Sequence, residues 1–152
     1  MMEISVRPAR PADAPVITRF NAAMAHETEG LALDPAVLAR GVAAALADPA
    51  KGRYLVAETG GAVIGQLMWT TEWSDWRDGW FWWIQSVYVA EPHRGRGAFR
   101  ALYAAVRTAA LAAGDVVGLR LYVERDNARA QATYSQIGMA RTHYLVFEEC
   151  PL

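Results

Sequence analysis

Cysteine is nearly absent from this 152-residue chain: Cys150 stands alone, so no disulfide can form within it. The fold must be held by its core, and a reducing compartment suits it. Histidine is scarce too. His26, His93 and His143 are scattered and show none of the spacings a metal site uses, so no metal is expected. Charge of one sign is not in surplus: the formal net charge is −1, which argues against nucleic acid as a partner. Long apolar runs are missing. The longest, around Trp80 to Val89, is interrupted by Gln85 and Ser86 and is too short to span a bilayer. The first residues, Met1 to Asp13, carry no apolar core of a secretion signal. No repeat, low-complexity tract or linker is visible. These absences lead to the expectation of one cytoplasmic domain over 1–152, with no membrane partner.

What is present is a hydrophobic content of 53% against 20% charged residues, enough apolar surface to build a compact core. Glu3 to Arg7 alternates like a half-buried strand, closed by Pro8 and Pro11. Asp13 is placed to cap a helix carrying Val16, Ile17, Phe20, Ala23 and Met24 on one face and ending near His26. Asp34-Pro35 opens a second helix, which Asp48-Pro49 stops. Tyr54 to Glu58 and Ala62 to Thr70 read as a hairpin around Thr59-Gly60-Gly61. Trp80 to Val89 is the central strand. Alanine-rich helix follows as far as Ala113, with Gly114 as its stop. Val116 to Glu124 is the next strand, Ala128 to Gln136 a short helix, and Met139 to Glu149 one or two final strands. The order β α α β β β α β α β combines antiparallel hairpins with one strand–helix–strand unit. Its two strands should be parallel neighbours, giving a mixed sheet with helices on both faces.

Between the central strand and the long helix lies His93-Arg94-Gly95-Arg96-Gly97. A strand feeding a glycine- and arginine-bearing turn that opens a helix is a way to hold a phosphate. The glycines allow a tight turn and a close approach, the first N–H groups of the helix favour an anion, and arginine adds charge-assisted contacts.

With these residues, the order of elements resembles the GNAT superfamily of acetyl-CoA-dependent N-acetyltransferases. Two motifs carry the resemblance. The Q/R-x-x-G-x-G/A signature reads Arg94, Gly95, Arg96, Gly97, Ala98, Phe99, after a strand ending Ser86-Val87-Tyr88-Val89. The N-x-x-A-x-x-x-Y-x-x-x-G-[FM] signature reads Asn127, Ala130, Tyr134, Gly138, Met139. The final position of the first motif is Phe99 instead of Gly or Ala, so its side chain should turn towards Leu102 and Tyr103.

The resemblance implies an α/β fold with a mixed, mostly antiparallel sheet and a splayed pair of parallel strands. It implies acetyl-CoA as co-substrate and no metal. It also implies that the residues from Arg94 to Phe99 grip the pyrophosphate, and that the pantetheine arm lies along Val87, Tyr88 and Val89 and touches Asn127. The Val87 N–H becomes the oxyanion donor and Tyr134 the acid for the departing thiolate, the reaction lying near Gln85 to Val87. Apart from the motif, Tyr134 also reads as a core aromatic and Asn127 as a helix cap.

A base is harder to name. Glu72 comes first, then Glu27, Glu29 and His26; each also reads as a solvated surface group. A base acting through water, or an amine arriving neutral, stays open. Glu72, Trp73 and Trp76 could form an aromatic, anionic pocket for a cationic amine, or could cover a sheet edge or a dimer contact. The expected acceptor is the primary amine of a small molecule. The alternatives are a protein N-terminus or lysine, or a non-catalytic acyl-CoA-binding module. A homodimer is open, and so is a longer acyl donor.

Overall fold

The computed structural model describes residues 3–152. The chain forms two compact units, one ending at Tyr122 and the other running from Val123 to Leu152. The first holds β1 (Ser5–Pro8), α1 (Ala14–Glu29), α2 (Pro35–Ala47), β2 (Arg53–Thr59), β3 (Ala62–Ser74), β4 (Gly79–Val89), α3 (Ala98–Ala113) and β5 (Val116–Leu121). The second holds α4 (Ala128–Gln136). No helix among the described residues is long and apolar enough to cross a membrane.

One sheet runs in the order β1-β2-β3-β4-β5, antiparallel except for the parallel pair β4–β5. This is the mixed α/β sheet that the order of elements predicts. Alternation along each strand sends side chains to opposite faces, and each face meets helices. On one face Leu55, Ala57, Leu67, Trp69 and Ile84 pack on Ala98, Leu102 and Val106 of α3, which recur every four residues. On the other, Tyr54 and Val56 pack on Ile17 of α1 and Val42 of α2. Full burial of one such aliphatic side chain contributes about 1.5–3 kcal/mol.

Local signals set most boundaries. Asp34 accepts from the N–H groups of Ala36 and Val37 and fixes the start of α2. Gly114, at φ +82°, ends α3 in the left-handed conformation. Three expectations are corrected. First, α1 continues beyond His26 to Glu29, because its polar last turn is helix-forming and Gly30, at φ +63°, supplies the stop. Second, Asp13 precedes α1 without capping it: its carboxylate accepts instead from Arg7 (2.8 and 2.9 Å) and from the Arg10 N–H (2.6 Å). Third, residues 139–149 form no strand. Their β-branched and aromatic content gives propensity but no ladder, and Leu145, Val146 and Phe147 are exposed.

The Arg7 guanidinium bridges Asp13 and Glu58 and thereby ties β1 and the start of α1 to β2. It holds the Asp13 carboxyl below the usual carboxylate range. A carboxylate depressed in the folded state lends stability above its unfolded value near ~3.9 and loses it as pH falls through the folded value. Asp13→Asn should therefore lower the urea midpoint at neutral pH, and the gap to the parent chain should close below about pH 4. A gap unchanged across that range would show that the carboxylate charge is not what stabilises this corner.

Candidate active site

The parallel ladder between β4 and β5 begins at Trp80↔Val116 and stops at Ile84↔Leu121. Thus β5 ends three residues before the expected Glu124. Beyond Ile84, β4 has a strand neighbour, among the described residues, only on its β3 side. The Ala90 N–H reaches back to the Ile64 carbonyl at 2.8 Å, and Tyr88 pairs with Gln66 of β3. By alternation, the backbone groups of Val87 and Val89 face the opposite, open flank. There the Val89 carbonyl accepts from Arg94 Nε at 2.8 Å.

The ladder between β3 and β4 carries a bulge at the same place. Gln66 pairs with Tyr88 and Met68 with Gln85, so Leu67 alone faces both Ser86 and Val87. Ser86 takes φ +52°, a left-handed conformation that costs a non-glycine residue of order 1–3 kcal/mol. A buried polar chain meets it. Gln66, at 0% exposure, donates from Nε2 to the Ser86 carbonyl (3.1 Å) and to Asn21 Oδ1 (2.9 Å). Asn21 Nδ2 in turn donates to the Tyr54 hydroxyl (3.2 Å). Burial pushes the Tyr54 phenol up, while hydrogen bonds from the Asn21 and Ser86 side chains hold it down.

After β4 comes a short 3-10 turn, Glu91–His93, and then the glycine turn. Gly95 (φ +73°) and Gly97 (φ +90°) are left-handed, α3 starts at Ala98, and no side chain caps it. A Cβ on either glycine would meet nothing within 4 Å. Backbone conformation therefore demands glycine here, and the space beside the turn is open to a ligand. Arg96 and Arg100 are exposed around it. Phe99 is half-buried and packs on the α3-side core, with its ring 6.2 Å from Tyr103.

Arg94 is engaged within the protein. Its NH2 group lies 2.7 Å from Glu27 Oε2, and its guanidinium stacks over Tyr88, 5.4 Å from the ring centroid. Tyr88 donates to the other Glu27 oxygen at 3.0 Å. The Arg94 hydrogen bond, opposed by partial desolvation, holds the Glu27 carboxyl below its usual range, which makes Glu27 a poor base. His26 and Glu29 are exposed on the last turn of α1.

The expected acceptor pocket is not assembled. Glu72 pairs across the ladder with Phe81, and Trp73 with Trp80, so the side chains of Glu72 and Trp73 lie on opposite faces of the sheet. Trp73 packs edge-on against Trp80 (5.0 Å), and Trp76 is 85% exposed at the hairpin tip. Glu72 also fails as the base at Val87: its partner Phe81 lies six residues away along β4, about 20 Å at the usual strand rise. Its carboxylate instead accepts from Arg120 at 3.2 Å. Arg120 lies 3.5 Å from the Phe81 ring centroid, and Tyr122 stacks on Trp83 at 4.6 Å. Gly118 makes room for Phe81, since a Cβ there would come within 2.7 Å of the ring. Gln85 donates to Thr70 Oγ1 at 2.6 Å. Sequence reasoning missed Arg120, Tyr122 and the Tyr54–Asn21–Gln66 chain. A glutamine within the apolar strand AVIGQLMWT was the available signal.

In the second unit, Asn127 caps α4, its Oδ1 accepting from the Ala130 N–H at 3.1 Å. Tyr134 is half-buried on α4, and burial pushes its phenol up. Gly138, at φ +98°, follows the end of the helix.

The model of the Acetyltransferase (GNAT) family matches residues 23–139. Among solved structures, a possible acetyltransferase from Clostridium difficile 630 is 43% identical, with 98% of each chain covered and a TM-score of 0.92. An integron cassette protein from the mobile metagenome of Cole Harbour Salt Marsh is 23% identical over 95% of this chain and 89% of that one, at TM-score 0.83. An aminoglycoside N-acetyltransferase, AAC(6')-Iy, solved with CoA, is 14% identical over 98% and 95%, at TM-score 0.78. The last two likenesses speak to fold alone. No curated protein matches the sequence.

The bulge makes its own prediction. Ser86→Gly keeps a residue suited to positive φ, whereas Ser86→Val puts a β-branched side chain there. The glycine variant should stay within about 1 kcal/mol of the parent in urea unfolding, and the valine variant should lose roughly 2–3 kcal/mol. Equal losses would show that Ser86 is not left-handed in solution.

Proposed function

Since the chain belongs to the GNAT acetyltransferase family, whose chemistry is acetyl transfer from acetyl-CoA, we propose that it acetylates the primary amine of a small molecule, the amine attacking directly while both substrates are bound. The observation that carries this reading is the continuity of the open β4 flank with the glycine turn. The flank offers the backbone groups of Val87 and the Val89 N–H to an amide-bearing arm, which can satisfy them as an added strand would. The turn offers helix-start N–H groups, open space beside Gly95 and Gly97, and the charges of Arg96 and Arg100 to a pyrophosphate. Arg94 serves this grip indirectly, by holding the turn to Val89 and Glu27.

Acetyl-CoA supplies an activated acyl group and a thiol leaving group. The Val87 N–H, facing the open flank, is the donor for negative charge developing on the acyl oxygen. Tyr134 is the acid for the departing sulfur: phenols titrate near ~10 and burial raises Tyr134 further, so it stays protonated at neutral pH until the thiolate charge develops beside it. We assign no side chain as base, because Glu72 is too distant and Glu27 is held ionised by Arg94. The amine enters neutral or loses its proton to water. We take the acceptor to be small; α1 lies against β4 through Phe20 and Tyr88 and is tied to the turn by Glu27.

A screen of amines with acetyl-CoA, read by thiol release, tests the reading. It should find turnover with small primary amines, and CoA binding with no turnover on any amine or peptide would refute it. Gly97→Glu should abolish CoA binding in calorimetry, because a side chain at φ +90° strains the turn and puts bulk and negative charge at the phosphate position; binding retained would remove the turn from the site. Tyr134→Phe should lower kcat by roughly 10²–10⁴ with little change in acetyl-CoA affinity, the range of a lost general acid. Unchanged turnover would exclude Tyr134 from that role.

A further inference from the structure

Gln66 is the most deeply buried polar side chain in the described protein, at 0% exposure, and its Oε1 has no hydrogen-bond partner. An amide kept in a core with one oxygen unmet is poorly explained by packing, since an apolar residue of the same length would fill the space without that penalty. What the amide does is fixed by its nitrogen. Nε2 donates to two acceptors, Asn21 Oδ1 and the Ser86 carbonyl, and Asn21 is itself anchored by donating to the Tyr54 hydroxyl. The Ser86 side chain also meets Tyr54. The strained bulge residue is thus held at its carbonyl and at its hydroxyl by one buried chain that joins α1, β2 and β3.

The peptide following Ser86 is planar and trans, so its C=O and its N–H point in opposite directions. A carbonyl drawn towards Gln66 sends the Val87 N–H the other way, to the flank of β4 that β5 leaves open. Without the clamp, the bulge could relax: Ser86 would return to extended backbone and the peptide would rotate.

We infer that Gln66 is a positioning residue: with Asn21 and Tyr54 it clamps the Ser86 carbonyl so that the Val87 N–H is aimed at the reacting acyl oxygen. This rests on the function proposed above, in which that N–H is the oxyanion donor. The group acts through the backbone of another residue and touches no substrate.

Gln66→Met tests it, since methionine keeps the length and removes the amide. The main readout is the change in the Val87 amide resonance when acetyl-CoA is added, followed in ¹H–¹⁵N spectra. In the parent, Val87, Gly95 and Gly97 should all respond. In Gln66→Met the Val87 response should be lost, the two glycine responses should persist, and CoA affinity should stay within about twofold. In the same variant kcat should fall roughly 10- to 100-fold at nearly constant KM, less than the 10²–10³ of deleting an oxyanion donor outright. A Val87 response equal to that of the parent would overturn the inference, as would a fall in kcat matched by an equal loss of CoA affinity. Should Gln66→Met not fold, Tyr54→Phe, which deletes one hydroxyl from the chain, takes the same spectral test with a smaller effect in the same direction. A parent chain that binds acetyl-CoA but acetylates nothing would end the proposed function. The clamp would then be judged by the Val87 resonance alone.

Discussion

The structure turns on a ladder that stops early. β4 and β5 pair for five register positions and then part after Ile84 and Leu121, leaving the last stretch of β4 with one strand neighbour instead of two among the described residues. Backbone groups in the middle of a sheet are normally satisfied on both sides, so an interior strand that is open on one flank is a standing demand for hydrogen bonds. The bulge at Ser86 and Val87 lies within this stretch, and the glycine turn begins just beyond it. Strand opening, bulge and glycine turn therefore occupy one continuous run of chain, and the two helical layers hold that run in place.

Much of this was legible in the sequence where the signal is local. Asp34-Pro35, Gly114 and the hairpin glycines each demand a particular backbone, and the elements they bound appear where expected. The glycine turn was legible for the same reason, and so was the burial of Phe99 against the α3-side core. What failed was what depends on partners. Residues 139–149 have strand propensity, but a strand exists only through its neighbour. Trp73 and Glu72 are adjacent in sequence, yet the two-residue period of a strand sends them to opposite faces. Because β3 runs on to Ser74, their adjacency does not place them in one pocket.

Charge placement carries the same lesson. Arg94 belongs to the motif that suggested a phosphate contact, and its guanidinium is instead shared among Glu27, the Val89 carbonyl and the Tyr88 ring. That arrangement ties the end of α1 to the start of the turn and removes Glu27 from the candidate bases. The Tyr54–Asn21–Gln66 chain was invisible to periodicity for a related reason: its members lie on three different elements and meet only in the folded core. Of the whole chain, only Gln66 gave any warning, as an amide where the pattern of β3 calls for an apolar side chain.

Hydrogen exchange along β4, with and without CoA, tests the central claim most directly. The amides of Val87 and Val89 should exchange readily in the free protein and gain protection with CoA, together with those of Gly95 to Ala98. The amides of Phe81 to Ile84, in the stretch already flanked by both β3 and β5, should barely change. Protection that rises uniformly across the sheet, or that leaves Val87 and Val89 untouched while CoA is bound, would contradict the account.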